Sequence, residues 1–161
     1  MKKENYEFSF EVYDSIHELA DADAWLMREA QKSTGLAYAP YSKFKVGAVA
    51  KLANGETVSG SNQENASYPV GICAERVLLS TLSSTFPAVP IETIAISYRS
   101  ETVKSDHPIA PCGMCRQSLQ EYEFRTQRAI RLILGGLEGR IYIVANATML
   151  LPFSFTGDDL K

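Results

Sequence analysis

The stretch Phe44-Lys45-Val46-Gly47-Ala48-Val49-Ala50-Lys51-Leu52 runs through Ala53-Asn54-Gly55-Glu56 into Thr57-Val58-Ser59-Gly60-Ser61-Asn62. An Asn-Gly pair between two short runs is a strong hairpin signal. The pattern predicts an antiparallel hairpin with strands at 44–52 and 57–62. Upstream, Ile16, Leu19, Ala20, Ala24, Met27 and Ala30 fall near a 3.6-residue period, which predicts a helix from Ser15 to Ser33 ending before Gly35. Its other face carries Asp21, Arg28 and Lys32 and is expected to meet solvent.

Downstream, Cys73 to Leu82 contains Val77-Leu78-Leu79 with no breaker and reads as a buried helix. Ile91 to Tyr98 is rich in Ile and bounded by Pro90 and a polar stretch, the signature of a buried strand. Pro111 is expected to open a third helix running through Met114 to Tyr122, since proline in a first turn costs no hydrogen bond. Ile130–Leu134 and Arg140–Val144 flank a Gly-rich turn as two more strands, and a short helix at Ala147–Leu151 ends before Pro152. Strands alternating with helices imply α/β layer packing in one domain spanning residues 1–161, with no internal repeat.

Composition narrows the function classes. Of 161 residues, 45% are hydrophobic and 22% charged, enough apolar material for a packed core. The formal charge is −3 and the Lys and Arg residues are scattered, so a polymeric nucleic acid is a poor partner. No stretch approaches the roughly 18 apolar residues of a membrane span, and the charged start Met1–Phe10 lacks the apolar centre of an export signal. These features point to a cytoplasmic protein. The segment Met1–Tyr13 is aromatic and has no functional reading.

The three cysteines carry the chemistry. They lie in Cys73-Ala74-Glu75 and Pro111-Cys112-Gly113-Met114-Cys115. Residues three apart share a helix face, so Cys112 and Cys115 can reach one metal ion, with Cys73 arriving from another helix start. Helix N-termini favour thiolates, and thiolates favour zinc. A set of only three protein ligands leaves a position for water, the mark of a catalytic site, and zinc lowers the pKa of water to about 7. Glu75 is then placed to carry the proton. Each residue also has a plainer reading. A Cys pair at this gap occurs in structural zinc and redox sites, Cys73 alone suits a core, and a first-turn Glu complements the helix dipole. His17 reads as helix surface and His107 as loop; neither is needed as a ligand.

The two cysteine motifs form the zinc-deaminase signature in an all-cysteine version. Together with Tyr38-Ala39-Pro40-Tyr41-Ser42-Lys43-Phe44, Val46-Gly47-Ala48, Asn62-Gln63-Glu64-Asn65-Ala66 and Cys73-Ala74-Glu75-Arg76, they resemble the small homotetrameric cytidine deaminases over nearly the whole chain. The resemblance implies a three-layer α-β-α fold around a mixed five-stranded sheet and one Zn2+ per chain on Cys73, Cys112 and Cys115. It implies hydrolytic deamination of cytidine and deoxycytidine in pyrimidine salvage. Glu75 would be the proton shuttle and Phe44 would pack on the pyrimidine. Asn62 and Glu64 would bind ribose hydroxyls, the Ala74 backbone would contact the base, and Arg76 would offset the thiolate charge. Leu150-Leu151-Pro152 followed by Phe155 is similar to the family tail, which implies that Phe155 reaches a neighbouring subunit's substrate. Phe153 and Ser154 depart from the small residues common there. Two rival readings stand beside this one: a zinc deaminase of another aminated heterocycle, such as a nucleoside antibiotic, and a non-catalytic zinc-stabilised domain.

Overall fold

The computed structural model describes all residues from Met1 to Lys161. The predicted hairpin is present as β2 (Phe44–Leu52) and β3 (Thr57–Ser61), paired antiparallel from Gly47↔Ser61 to Lys51↔Thr57 around Gly55, whose φ is 88°. The other strands are β1 (Glu11–Tyr13), β4 (Ile91–Ser100), β5 (Arg131–Gly135) and β6 (Ile141–Val144). They form one sheet in the order β1-β6-β5-β4-β2-β3, with β4 and β5 parallel and every other pair antiparallel. The sheet is mixed, as anticipated, but has six strands rather than five. Glu11, Val12 and Tyr13 pair with Ile143, Tyr142 and Ile141, which satisfies the outer edge of β6. A three-residue strand carries too little alternation to be read from sequence.

Three helices flank the sheet: α1 (Asp21–Ser33) on one face, α2 (Ala74–Thr85) and α3 (Gly113–Thr126) on the other. One apolar cluster joins Met27 and Ala30 of α1 to Val49, Ala95 and Ile133. The larger one joins Leu78 and Leu82 of α2 and Leu119 of α3 to Ala48, Ile94, Ile96 and Leu132. Successive residues of a strand point to opposite faces, which is why Ala48 and Val49 serve different clusters. The continuous apolar runs of β4 and β5 follow from being covered on both sides.

Helix starts differ from the sequence reading in informative ways. The expected helix from Ser15 is broken: a 3-10 turn covers Ile16–Glu18, Leu19 and Ala20 are extended, and α1 begins at Asp21 with Asp21 and Asp23 in its first turn. Pro111 lies two residues before α3, whose N-cap is Cys112. Likewise Cys73 is the N-cap of α2 rather than a residue within it. The C-terminal helix is a 3-10 turn, Ala147–Leu150, capped by the Asn146 side chain on the Thr148 amide.

Gly60 sets the position of α2. A Cβ there would lie 2.4 Å from the Ala74 carbonyl oxygen and 2.5 Å from the Leu78 amide nitrogen, so only glycine lets the start of α2 rest on β3. Gly47 plays the same part for α1, where a Cβ would lie 2.3 Å from the Ala30 carbonyl oxygen. The hairpin thus holds a helix against each of its faces.

Candidate active site

Both N-cap cysteines have extended backbone, and neither uses its sulfur for a capping bond. Their carbonyls accept the first helical bonds, from Val77 to Cys73 at 3.0 Å and from Arg116 to Cys112 at 2.9 Å. The sulfurs are left free at the positive ends of two helices. Cys115 follows within the first turn of α3 and is fully buried. The loop before α2 is fixed by paired backbone bonds between Gln63 and Ile72, 2.9 and 3.0 Å, which bring Cys73 back beside the end of β3.

The three sulfurs lie within 4.8 Å of one another, with Cys73–Cys112 at 3.8 Å and Cys112–Cys115 at 3.5 Å. Tetrahedral zinc with sulfurs at about 2.3 Å spaces them by about 3.8 Å, so the donor set suits that ion. No histidine or carboxylate joins the cluster. Proton sharing orders the thiols: the contact with the Cys115 thiol draws Cys73 down to about 6, against the effect of burial. Cys115 is pushed up, first by the hydrogen bond it makes to Cys73 and then by burial. A cation entering this cluster finds one thiolate ready and must displace the Cys115 proton.

Glu75, in the first turn of α2, is 5% exposed. Burial raises its carboxyl above the usual range, partly opposed by its own backbone N–H and the Cys115 thiol. It lines a cavity of about 210 Å³ together with Cys73, Cys112 and Ala74. Phe44, Val46, Asn62, Ile109 and Ala110 complete the walls. The result is a mostly apolar slot with two sulfurs, a carboxyl and an amide converging on it, the general form of a small-molecule site.

The structure brings most of the predicted residues here, with added detail. Asn62 clamps β2: its Oδ1 accepts from the Val46 amide at 2.7 Å and its Nδ2 donates to the Phe44 carbonyl at 2.9 Å. That leaves one amide hydrogen and one lone pair for another partner. Glu64 stands outside the cavity lining, its Oε2 accepting from the amides of Tyr41 (2.9 Å) and Ser42 (3.3 Å). Hydrogen bonding, first from the Ser42 side chain, holds its carboxyl below the usual range. Arg76 makes no hydrogen bond to a sulfur. It turns into the groove between α2 and α3 beside Ser80 and Gln117, and its charge lowers Cys73 through space as the last of several causes. Phe155 is exposed and lies outside its own chain's cavity, its carbonyl accepting from Gln117 Nε2 at 2.9 Å.

Sequence reasoning missed the apolar walls Val46, Ile109 and Ala110 and the support behind Phe44. Val46 is legible in retrospect, two residues past Phe44 on the same face of a strand. The Phe44 ring stacks on Tyr98 of β4, centroids 4.9 Å apart and planes 13° from parallel. Tyr98 is wholly buried, and burial raises its phenol so that it stays protonated.

A profile of the cytidine and deoxycytidylate deaminase zinc-binding region matches residues 20–130, which contain all three cysteines and Glu75. The chain belongs to that deaminase family. It is 35% identical over 136 residues to the cytidine deaminase of Halalkalibacterium halodurans, covering 84% of this chain and 96% of that one. Its fold superposes on the crystal structure of cytidine deaminase from Burkholderia pseudomallei with a TM-score of 0.70 and 34% identity, over 85% of this chain and all of that one. Cytidine deaminase from Mycobacterium tuberculosis gives a TM-score of 0.64 at 29% identity, over 84% and 98% of the two chains. Within the family, this chain is a zinc-dependent hydrolase whose metal-binding cluster is Cys73, Cys112 and Cys115. No helix is long and apolar enough to cross a membrane.

Proposed function

We propose that this enzyme hydrolyses the exocyclic amine of cytidine and deoxycytidine, releasing ammonia and the corresponding uridine, as a step of pyrimidine salvage in the cytoplasm. The observation that carries the reading is the buried Glu75 carboxyl in an apolar slot lined by Phe44 and by Cys73 and Cys112 of the cysteine cluster. A slot of about 210 Å³ suits a flat heterocycle, with the sugar directed toward Glu64, which stands outside the lining. The free thiol cluster suits a reducing compartment.

Phe44 packs on the pyrimidine face, and the Ala74 backbone meets the edge of the base. The remaining hydrogen and lone pair of Asn62 and the carboxylate of Glu64 take the ribose hydroxyls. A zinc ion on Cys73, Cys112 and Cys115 supplies, when bound, a water acidified to about pKa 7. Glu75 would take one proton from the attacking water and pass it to the ring nitrogen as the C–O bond forms at the amine-bearing carbon. It would then take the second proton from the new hydroxyl and pass it to the amine nitrogen as the C–N bond breaks and ammonia leaves. A buried carboxyl with a raised pKa is matched to both halves of that task. Apolar Val46, Ile109 and Ala110 keep bulk water from the reacting carbon. Arg76 moderates the charge of the thiolate cluster, and Phe155 completes the slot of a neighbouring subunit in a homotetramer.

Glu75→Gln tests the assignment, because it keeps the shape and removes the shuttle. Zinc content is expected to stay at one per chain while cytidine turnover falls by about 10²–10⁴. Full turnover in the zinc-loaded variant contradicts the role given to Glu75.

A further inference from the structure

The wall formed by Phe44 depends on a residue that never lines the cavity. Phe44 sits at the first position of β2, pairs with Ser100 across the sheet, and is half-buried. A phenylalanine at a strand end has rotamer freedom unless something fixes its ring. Tyr98 lies on the same face, opposite Val46, and meets Phe44 across the diagonal of the antiparallel pair. The near-parallel rings at 4.9 Å occupy one face of Phe44, and Phe44 itself lines the cavity.

Tyr98 is itself fixed at both ends. Its backbone lies within β4, and its hydroxyl donates to the Lys104 carbonyl at 3.1 Å and meets His107 Nδ1 at 3.1 Å. Lys104 and His107 belong to the connection that continues through Ile109 and Ala110, two other cavity walls, to the ligand Cys112. A single buried side chain therefore bridges Phe44 and the loop that carries two other lining residues.

We propose that Tyr98 is a positioning residue for substrate binding: its ring backs Phe44 and sets the plane on which the pyrimidine packs. The proposal rests on Phe44 facing the base. It assigns Tyr98 to binding rather than to the chemical step, so its loss raises KM and leaves kcat nearly unchanged.

The test is steady-state kinetics with cytidine, together with calorimetric binding of uridine, which needs no turnover. Tyr98→Leu, confirmed to hold one zinc per chain, is expected to raise KM and the uridine Kd about fivefold or more, with kcat within about twofold. Tyr98→Phe keeps the ring and is expected to restore both constants to within about twofold. Should the leucine variant not accumulate as folded protein, Tyr98→Met, whose flexible thioether fills the same space, is judged by the same criterion. In a double-mutant cycle, Tyr98→Leu is expected to add little once Phe44→Leu is present, since its effect passes through Phe44.

Wild-type KM and Kd in a zinc-loaded Tyr98→Leu protein overturn the proposal. So does an undiminished effect in the Phe44→Leu background, which would show action by another route. A Phe44→Leu enzyme that binds uridine normally refutes the placement of the base on Phe44 instead, a failure distinct from that of Tyr98.

Discussion

In its proposed role of ribose binding, Glu64 has a carboxylate already prepared by its neighbours. Two amides and the Ser42 hydroxyl hold it ionised below the usual carboxylate range, while it keeps lone pairs for a ribose hydroxyl. Glu64→Gln is expected to raise KM about tenfold, as for loss of a hydrogen bond to a charged group. The pH dependence has a definite sign. With the folded pKa depressed, the stability from this carboxylate is fully present above its unfolded value, near 4.3, and is lost as pH falls through the lower folded value. Melting curves of wild type and Glu64→Gln should therefore differ by a constant amount at neutral pH and converge in acid; a difference that grows below pH 4 contradicts this. At the metal cluster, the hydrogen bond to Cys73 and burial push the Cys115 thiol up. Zinc added to metal-free protein in weak buffer near pH 8 is expected to release about one to two protons per ion, and Cys115→Ala to lose most of the affinity. Zinc uptake without proton release would show that the thiols were not the ligands.

Element by element, the site depends on how closely α2 rests on the hairpin. Gly60→Ala puts a methyl within 2.4 Å of the Ala74 carbonyl. It is expected to cost about 1–3 kcal/mol of stability and to weaken zinc binding, because the start of α2 carries Cys73. Thermal melting and competition with a zinc indicator measure both effects; an unchanged melting temperature refutes the close-packing account. The elements also show what sequence reveals and what it conceals. The Asn54-Gly55 turn, the period of α1 beyond Asp21 and the apolar runs of β4 and β5 declare themselves locally. The break at Leu19–Ala20 does not, since both residues fit the helical period and only the fold decides that Leu19 turns inward. Strand β1 exists because β6 offers an unpaired edge, a fact absent from Glu11-Val12-Tyr13 itself. The cysteine motifs and Glu75 were legible by spacing. The Asn62 clamp and the Tyr98 stack were not, because both are contacts between strands rather than patterns along one.

At the scale of the whole molecule, one chain brings together the cysteines, Glu75, Ala74, Asn62 and Phe44, yet leaves Phe155 exposed and outside that cavity. The proposed homotetramer, with Phe155 completing a neighbouring subunit's slot, would account for this and makes a complementation prediction. Glu75→Gln lacks the shuttle and Phe155→Ala lacks the borrowed aromatic, so each variant alone should be weakly active. Co-expressed, they form mixed assemblies in which a Phe155→Ala chain keeps its own Glu75 and receives Phe155 from its partner. Activity above the sum of the two variants is expected, with a tetramer by size exclusion. Purely additive activity, or a fully active monomer, contradicts a shared site.

The proposed reaction and the cysteine cluster are tested together by the ultraviolet absorbance of cytidine incubated with the purified enzyme, with and without a chelator that strips zinc. Conversion to uridine that stops on chelation and returns on adding zinc is the predicted result. Absence of conversion by a chain holding one zinc, or conversion indifferent to removal of the metal, would contradict it.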